Sequence, residues 1–162
     1  MTAKATVISA AATGTSGKTT GGTVEDVDGK KVSTIRAMRV TVEVTTALVG
    51  SSPTCNLYLQ RPIVEDYAAG TEADWDDFFA FTQLTASHTA GTRRYVDIPL
   101  PSSQDVDGSL ANRDLAPAQE SLAARTLISG HWGDAIRVRA SLGGTVTTAL
   151  VYDVDMIELP IP

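Results

Sequence analysis

Two short stretches set paired carboxylates next to a glycine: Asp26-Val27-Asp28-Gly29 and Asp105-Val106-Asp107-Gly108. Alternating Asp residues can turn hard oxygen donors to one side of a loop, as calcium requires. Asp26, Asp28, Asp105 and Asp107 are therefore the candidate metal ligands. The remainder of a calcium loop is missing: Lys30 and Ser109 follow the glycines, and no bidentate Glu stands at the expected distance. Asp-Gly equally supplies the positive φ angles of a tight hairpin turn, and that is the preferred reading. No metal and no cofactor is expected. The flanks of the two copies disagree, Lys30-Lys31-Val32 against Ser109-Leu110-Ala111, so turn chemistry rather than domain duplication accounts for the repeat.

Catalytic groups are few and scattered. The two histidines are His88 and His131, and one cysteine, Cys55, cannot complete a zinc site with them. Ser87 adjoins His88, but neighbours along a strand face opposite ways, and there is no Gly-x-Ser-x-Gly elbow. The acidic run holding Glu72, Asp74, Asp76 and Asp77 contains residues that could act as a glycosidase pair. Such runs are more commonly solvated loops. Gly17-Lys18-Thr19 brushes against a phosphate-binding loop, but Ala12 occupies the position of its first glycine. No catalytic residue is assigned, and a non-enzyme is expected.

Contact chemistry has more candidates. Trp75, Phe78, Phe79 and Phe81 could form an exposed platform for a sugar or a protein partner; the preferred reading is that Phe79 and Phe81, at period two, fill the core while Trp75 and Phe78 close a sheet edge. His131 and Trp132 sit in a loop bracketed by Gly130 and Gly133. Thr6, Val7 and Ile8 form a short strand-like patch within residues 1–23, a weakly hydrophobic stretch rich in Thr, Ala, Ser and Gly that reads as a flexible arm ordered only by a neighbour. The partner-contact candidates are thus Thr6, Val7, Ile8, Trp75, Phe78, His131 and Trp132.

The elements that must position these residues are strands. Met38, Val40, Val42 and Val44 alternate with Arg39, Thr41, Glu43 and Thr45, and Val146 to Met156 repeats the pattern. A period of two marks half-buried antiparallel β-structure. Asp28-Gly29 predicts a hairpin, Gly50 to Pro53 a turn, and Gly143-Gly144 a hairpin joining a strand at 135–142 to one at 145–159. Cys55, Leu57 and Leu59 share one face of a strand that ends at Pro62, so Cys55 reads as a buried small hydrophobe. Pro117 to Ile128 is the best helix candidate. The fold class expected is all-β, an antiparallel β-sandwich, jelly-roll-like, with about eight strands and at most one short helix. It would comprise the arm, 1–23, and one sandwich domain, 24–162.

A hydrophobic content of 43% in 162 residues is enough for a core without metal or disulfide staples. The net charge of -6 argues against binding the nucleic-acid backbone, so no nucleic-acid partner is expected. The start lacks the pattern of a signal peptide, and no apolar run reaches the length of a membrane span, so no membrane association is expected. A single cysteine fits a reducing compartment.

This profile resembles the capsid decoration (cement) proteins of tailed bacteriophages. It is short, acidic, Cys-poor, β-rich and rich in Ala, Thr and Gly, with a loose N-terminal arm and the tail Asp153-Val154-Asp155-Met156-Ile157-Glu158-Leu159-Pro160. The likeness is one of overall profile and carries over no functional residue. It implies a jelly-roll or related sandwich that self-associates as a trimer or dimer and bridges major capsid protein subunits. It also implies synthesis in the host cytoplasm and residence on the virion capsid surface. The rival readings are a carbohydrate-binding sandwich module that stacks sugars on Trp75 or Trp132, and a phage tail or neck component.

Overall fold

The structure, a computed structural model, describes residues 6–99 and 133–160. In chain order the strands are β1 (Thr6–Ala12), β2 (Lys18–Val24), β3 (Asp26–Val27), β4 (Lys30–Lys31), β5 (Ala37–Thr46), β6 (Val49–Pro62), β7 (Trp75–Ala80), β8 (Leu84–Thr85), β9 (Arg93–Pro99), β10 (Ile136–Thr148) and β11 (Val151–Glu158). Every pairing between them is antiparallel. The predicted helix over Pro117–Ile128 lies outside the described residues, as do Asp105, Asp107, His131 and Trp132.

Two sheets carry the fold. Sheet A has the order β1-β11-β5-β9, and sheet B the order β2-β10-β6-β7, with β8 also on β6. With the three two-residue strands set aside, the eight principal strands run first-eighth-third-sixth in one sheet and second-seventh-fourth-fifth in the other. That interleaving is the jelly roll. The all-β antiparallel sandwich expected from the alternating stretches is therefore what the chain forms.

Alternation explains the packing. Met38, Val40, Val42 and Val44 of β5 and Tyr152, Val154 and Met156 of β11 project inward from sheet A. Cys55, Leu57 and Leu59 of β6 and Ile136, Val138 and Ala140 of β10 meet them from sheet B. Both inward rows belong to one continuous apolar cluster. Leu48 and Leu150 plug two of the points where the chain passes from one sheet to the other, β5 to β6 and β10 to β11. Thr13, fully buried at the β1 to β2 crossing, ties this end together: its N–H donates to the Leu150 carbonyl at 3.0 Å, and its Oγ1 accepts from the Leu150 N–H at 3.2 Å.

Three expectations differ from the structure. Residues 6–24 do not form a separate arm. β1 pairs with β11 and β2 with β10, so the stretch supplies an edge strand to each sheet, and Ile8 and Val24 enter the core. Its low hydrophobicity suffices because an edge strand buries few side chains and takes backbone hydrogen bonds from a preformed neighbour. Neither Gly50–Pro53 nor Gly143-Gly144 is a hairpin turn. Both lie inside long strands, β6 and β10, and they face each other: Gly143 pairs with Thr54 and Val146 with Gly50 across a shift in register. The glycines there bend a long ribbon and do not end it. By contrast Asp28 (φ 52°) and Gly29 (φ 76°) do make the expected tight turn, between β3 and β4.

Gly144 has φ 71°, and a Cβ placed on it would lie 2.1 Å from the Ser52 carbonyl oxygen. Gly29 has a similar φ but meets nothing within 4 Å. Gly144→Ala is expected to destabilise the protein by about 2–5 kcal/mol, and Gly29→Ala by about 1–2 kcal/mol. Urea unfolding monitored by tryptophan fluorescence checks both; equal losses would mean that the ribbon bend is not tightly packed.

Candidate functional site

The outer face of sheet B is charged and yet buried. Since Ile136, Val138 and Ala140 point into the core, Arg137 and Arg139 must point away from it. Register puts Arg137 opposite Gln60 and Arg139 opposite Tyr58, and Gln60 in turn opposite Asp77 of β7. Arg137, Arg139, Gln60 and Asp77 are each no more than 2% exposed. The connection between β6 and β7 contributes the remaining partners. Arg137 donates from Nε to Gln60 Oε1 at 2.7 Å, from Nη2 to Glu72 Oε2 at 2.8 Å and from Nη1 to the Ala69 carbonyl. Asp77 accepts from Gln60 Nε2 at 2.7 Å and from Arg139 Nη2. The guanidinium of Arg137 lies 4.4 Å from the Trp75 ring centre, and that of Arg139 lies 4.7 Å from the Tyr58 ring.

These groups hold one another in place. Burial pushes the Asp77 carboxyl above the ordinary carboxylate range, while Arg139 and Gln60 favour its charged form. Burial likewise lowers Arg137, against the pull of Glu72. The arrangement clamps the connection carrying Ala69 and Glu72 onto the back of the sheet. The acidic run is therefore not the solvated loop expected: Asp76 and Asp77 are buried in β7, and Arg61 lies 3.6 Å from Asp76.

The outer face of sheet A carries a second charged arrangement, exposed along β9 and covered at Asp155 of β11. Arg93, Tyr95 and Asp97 of β9 stand opposite Glu43, Thr41 and Arg39 of β5. Arg39 grips Asp97 with two bonds, Nε to Oδ1 at 2.6 Å and Nη2 to Oδ2 at 2.8 Å, and its guanidinium lies 5.0 Å from the Tyr95 ring centre. The hydrogen bond from Arg39 holds the Asp97 carboxyl below its ordinary range. Arg93 donates to Glu43 at 3.0 Å. Tyr95 is 66% exposed. Between β9 and β7 runs a groove of about 270 Å³ lined by Phe79, Phe81, Thr82, Arg94, Tyr95 and Val96.

The residues singled out in the sequence are dispersed. Trp75 and Phe78 are 5% and 2% exposed, which corrects their reading as an exposed platform: Trp75 donates from Nε1 to the Ala68 carbonyl and packs edge-on against Tyr67. Phe78 belongs to the hydrophobic core and Trp75 is covered by the connection before β7, so a sugar cannot stack on either ring in this conformation. Thr6, Val7 and Ile8 belong to β1, where Ile8 is core and Thr6 Oγ1 donates to Asp155 at 2.7 Å. Asp26 pairs with Lys31 at 3.2 Å, and Asp28 sits in the turn; among the described residues no three potential ligands gather around a metal position. His88 Nδ1 accepts from the Thr85 N–H at 2.9 Å and so closes a turn. Cys55 is fully buried, and burial pushes its thiol up to about 12.

Sequence pattern alone does not single out Arg137, Arg139, Gln60, Arg93, Tyr95 or Asp97. Arg137-Val138-Arg139 inside an apolar strand was the available signal, with the cation-free acidic run as its natural complement. Pairing them required knowing that β6 lies between β7 and β10. No protein-family model matches the chain, and no curated protein is significantly similar to it in sequence.

Asp77→Leu leaves the Arg139 charge buried without its closest carboxylate and is expected to cost about 3–5 kcal/mol. Adding Arg139→Met should recover most of that loss. Denaturant unfolding of the two single variants and the double variant measures the coupling. Additive losses would show that the two residues do not act as a pair.

Proposed function

We propose that this protein is a non-enzymatic structural component of a tailed-bacteriophage particle: a decoration protein that self-associates and bridges major capsid protein subunits on the outer surface of the shell, made in the host cytoplasm and resident on the virion. The observation that carries the reading is the division of its charged residues. One set is locked behind sheet B as an internal clamp, and the other is laid out in facing pairs across β5 and β9 on the outer side of sheet A, ending at the strand edge of β9. A bridging protein needs that combination of a rigid body and a patterned outer wall. Electrostatic pattern selects a partner and its register more than it adds raw affinity.

The profile of the chain supports the same reading: small, acidic, with a single buried cysteine and a jelly-roll sandwich. An acidic surface keeps such a protein off packaged nucleic acid while leaving it free to meet protein.

Quantitative mass spectrometry of purified particles tests the proposal. Hundreds of copies per particle are expected, removable and rebindable without loss of the packaged genome. A handful of copies would instead place the protein in a tail or neck. Absence from particles, together with quenching of tryptophan fluorescence by an oligosaccharide, would replace the proposal with the carbohydrate-binding reading.

A further inference from the structure

Among the described residues, β9 is the edge strand that is both exposed and regular. β1 is interrupted by two shifts in register and β2 pairs across another, while all six residues of β7 are buried. β9 pairs with β5 over seven consecutive residues with no shift, from Arg93 opposite Glu43 to Pro99 opposite Ala37.

The ladder decides what its free edge offers. The Val44 N–H donates to the Thr92 carbonyl at 2.8 Å, so in this register the even-numbered residues of β9 turn their backbone groups toward β5. In an antiparallel ladder these directions alternate. Arg93, Tyr95 and Asp97 therefore turn their N–H and C=O groups outward, and Pro99, which has no N–H, falls at an outward position where none is needed. The same three residues place their side chains on the outer face of sheet A.

We propose that β9 pairs antiparallel with β9 of a second copy of this chain across a two-fold axis at Tyr95, joining two A sheets into one continuous eight-stranded sheet. In this register Tyr95 faces Tyr95 of the second copy, and Arg93 faces its Asp97. All three outward residues of each strand then exchange backbone hydrogen bonds. Across the seam the charges read Glu43, Arg93, Asp97 of the second copy, Arg39 of the second copy, alternating in sign over four strands. Other alignments lose this. A slip of one residue sets outward backbone groups against inward ones, a slip of two sets Asp97 against tyrosine, and a parallel pair sets Arg93 against Arg93. Opposite charges directly across a ladder stabilise it and like charges destabilise it. Pro99 and the turn at Gly91 limit the paired segment and so stop indefinite edge growth.

This inference rests on the self-association half of the functional proposal and not on its capsid-binding half. Sedimentation equilibrium at micromolar concentration is expected to give twice the 17.0 kDa chain mass. Tyr95→Pro, at a position whose N–H serves no bond among the described residues, and Arg93→Asp, which faces Asp97 of the second copy, should both give the single-chain mass. Tyr95→Cys should form an intermolecular disulfide on mild oxidation, because facing residues of a hydrogen-bonded pair lie about 5.5 Å apart at Cα, within disulfide reach. Arg93→Cys should not, since the two-fold separates its copies by roughly 14 Å. If Tyr95→Pro fails to fold, Arg93→Asp and the cysteine pair still decide the matter. A monomeric wild type, a trimer, or a dimer unaffected by Arg93→Asp would overturn the proposal. A β9-linked dimer that binds no particle would refute the capsid reading alone, and a monomer that binds particles would refute the edge pairing and the self-association it rests on while leaving the capsid reading.

Discussion

The apolar slab between β5–β11 and β6–β10 is the contact on which the rest of the molecule hangs. Burying a side chain of the size of Val40, Leu57 or Val154 contributes about 1.5–3 kcal/mol, set against about 1–2 kcal/mol of backbone ordering per residue. Only strands that commit alternate residues to the slab can meet that cost, as β5 does from Met38 to Val44, β6 from Cys55 to Leu59, β10 from Ile136 to Ala140 and β11 from Tyr152 to Met156. Their outward residues are then placed without further choice. Arg137 and Arg139 face outward because Ile136, Val138 and Ala140 face inward, and Arg93, Tyr95 and Asp97 face outward because β9 pairs with β5 without a break in register.

The two outer faces meet different fates with similar residues. On sheet B the connection between β6 and β7 folds over the arginines, and burial makes their carboxylate partners obligatory. On sheet A the pair Arg39–Asp97 and the guanidinium of Arg93 remain in solvent, where such pairs contribute little to stability. Their value there is in pattern. A solvent-exposed ladder of fixed charges can select a partner and a register while the fold itself does not depend on it.

Sheet edges show the same division of labour. The β1 edge is broken by bulges, and the β7 edge is covered. Irregular or covered edges resist pairing with other chains, and a regular open one invites it. Under the bridging function proposed above, an exposed, regular β9 would serve assembly and would not be a defect.

The amino-acid order by itself determined the strand class, the inward rows of β5, β6 and β11, the Asp28-Gly29 turn and the burial of Cys55, because a period of two and a residue's own φ preference are local properties. Only the tertiary structure decided that Gly143-Gly144 bends β10 rather than ending it, that residues 6–24 become edge strands, and that Trp75 is covered by its own chain. Each of these depends on which strand lies alongside: Ser52 beside Gly144, β11 beside β1, and Ala68 over Trp75. The clamp shows the limit most plainly. Its charges stand in plain view along the chain, yet Arg139 and Asp77 are 62 residues apart, and sequence spacing carries no information about a neighbour reached through two steps of sheet pairing.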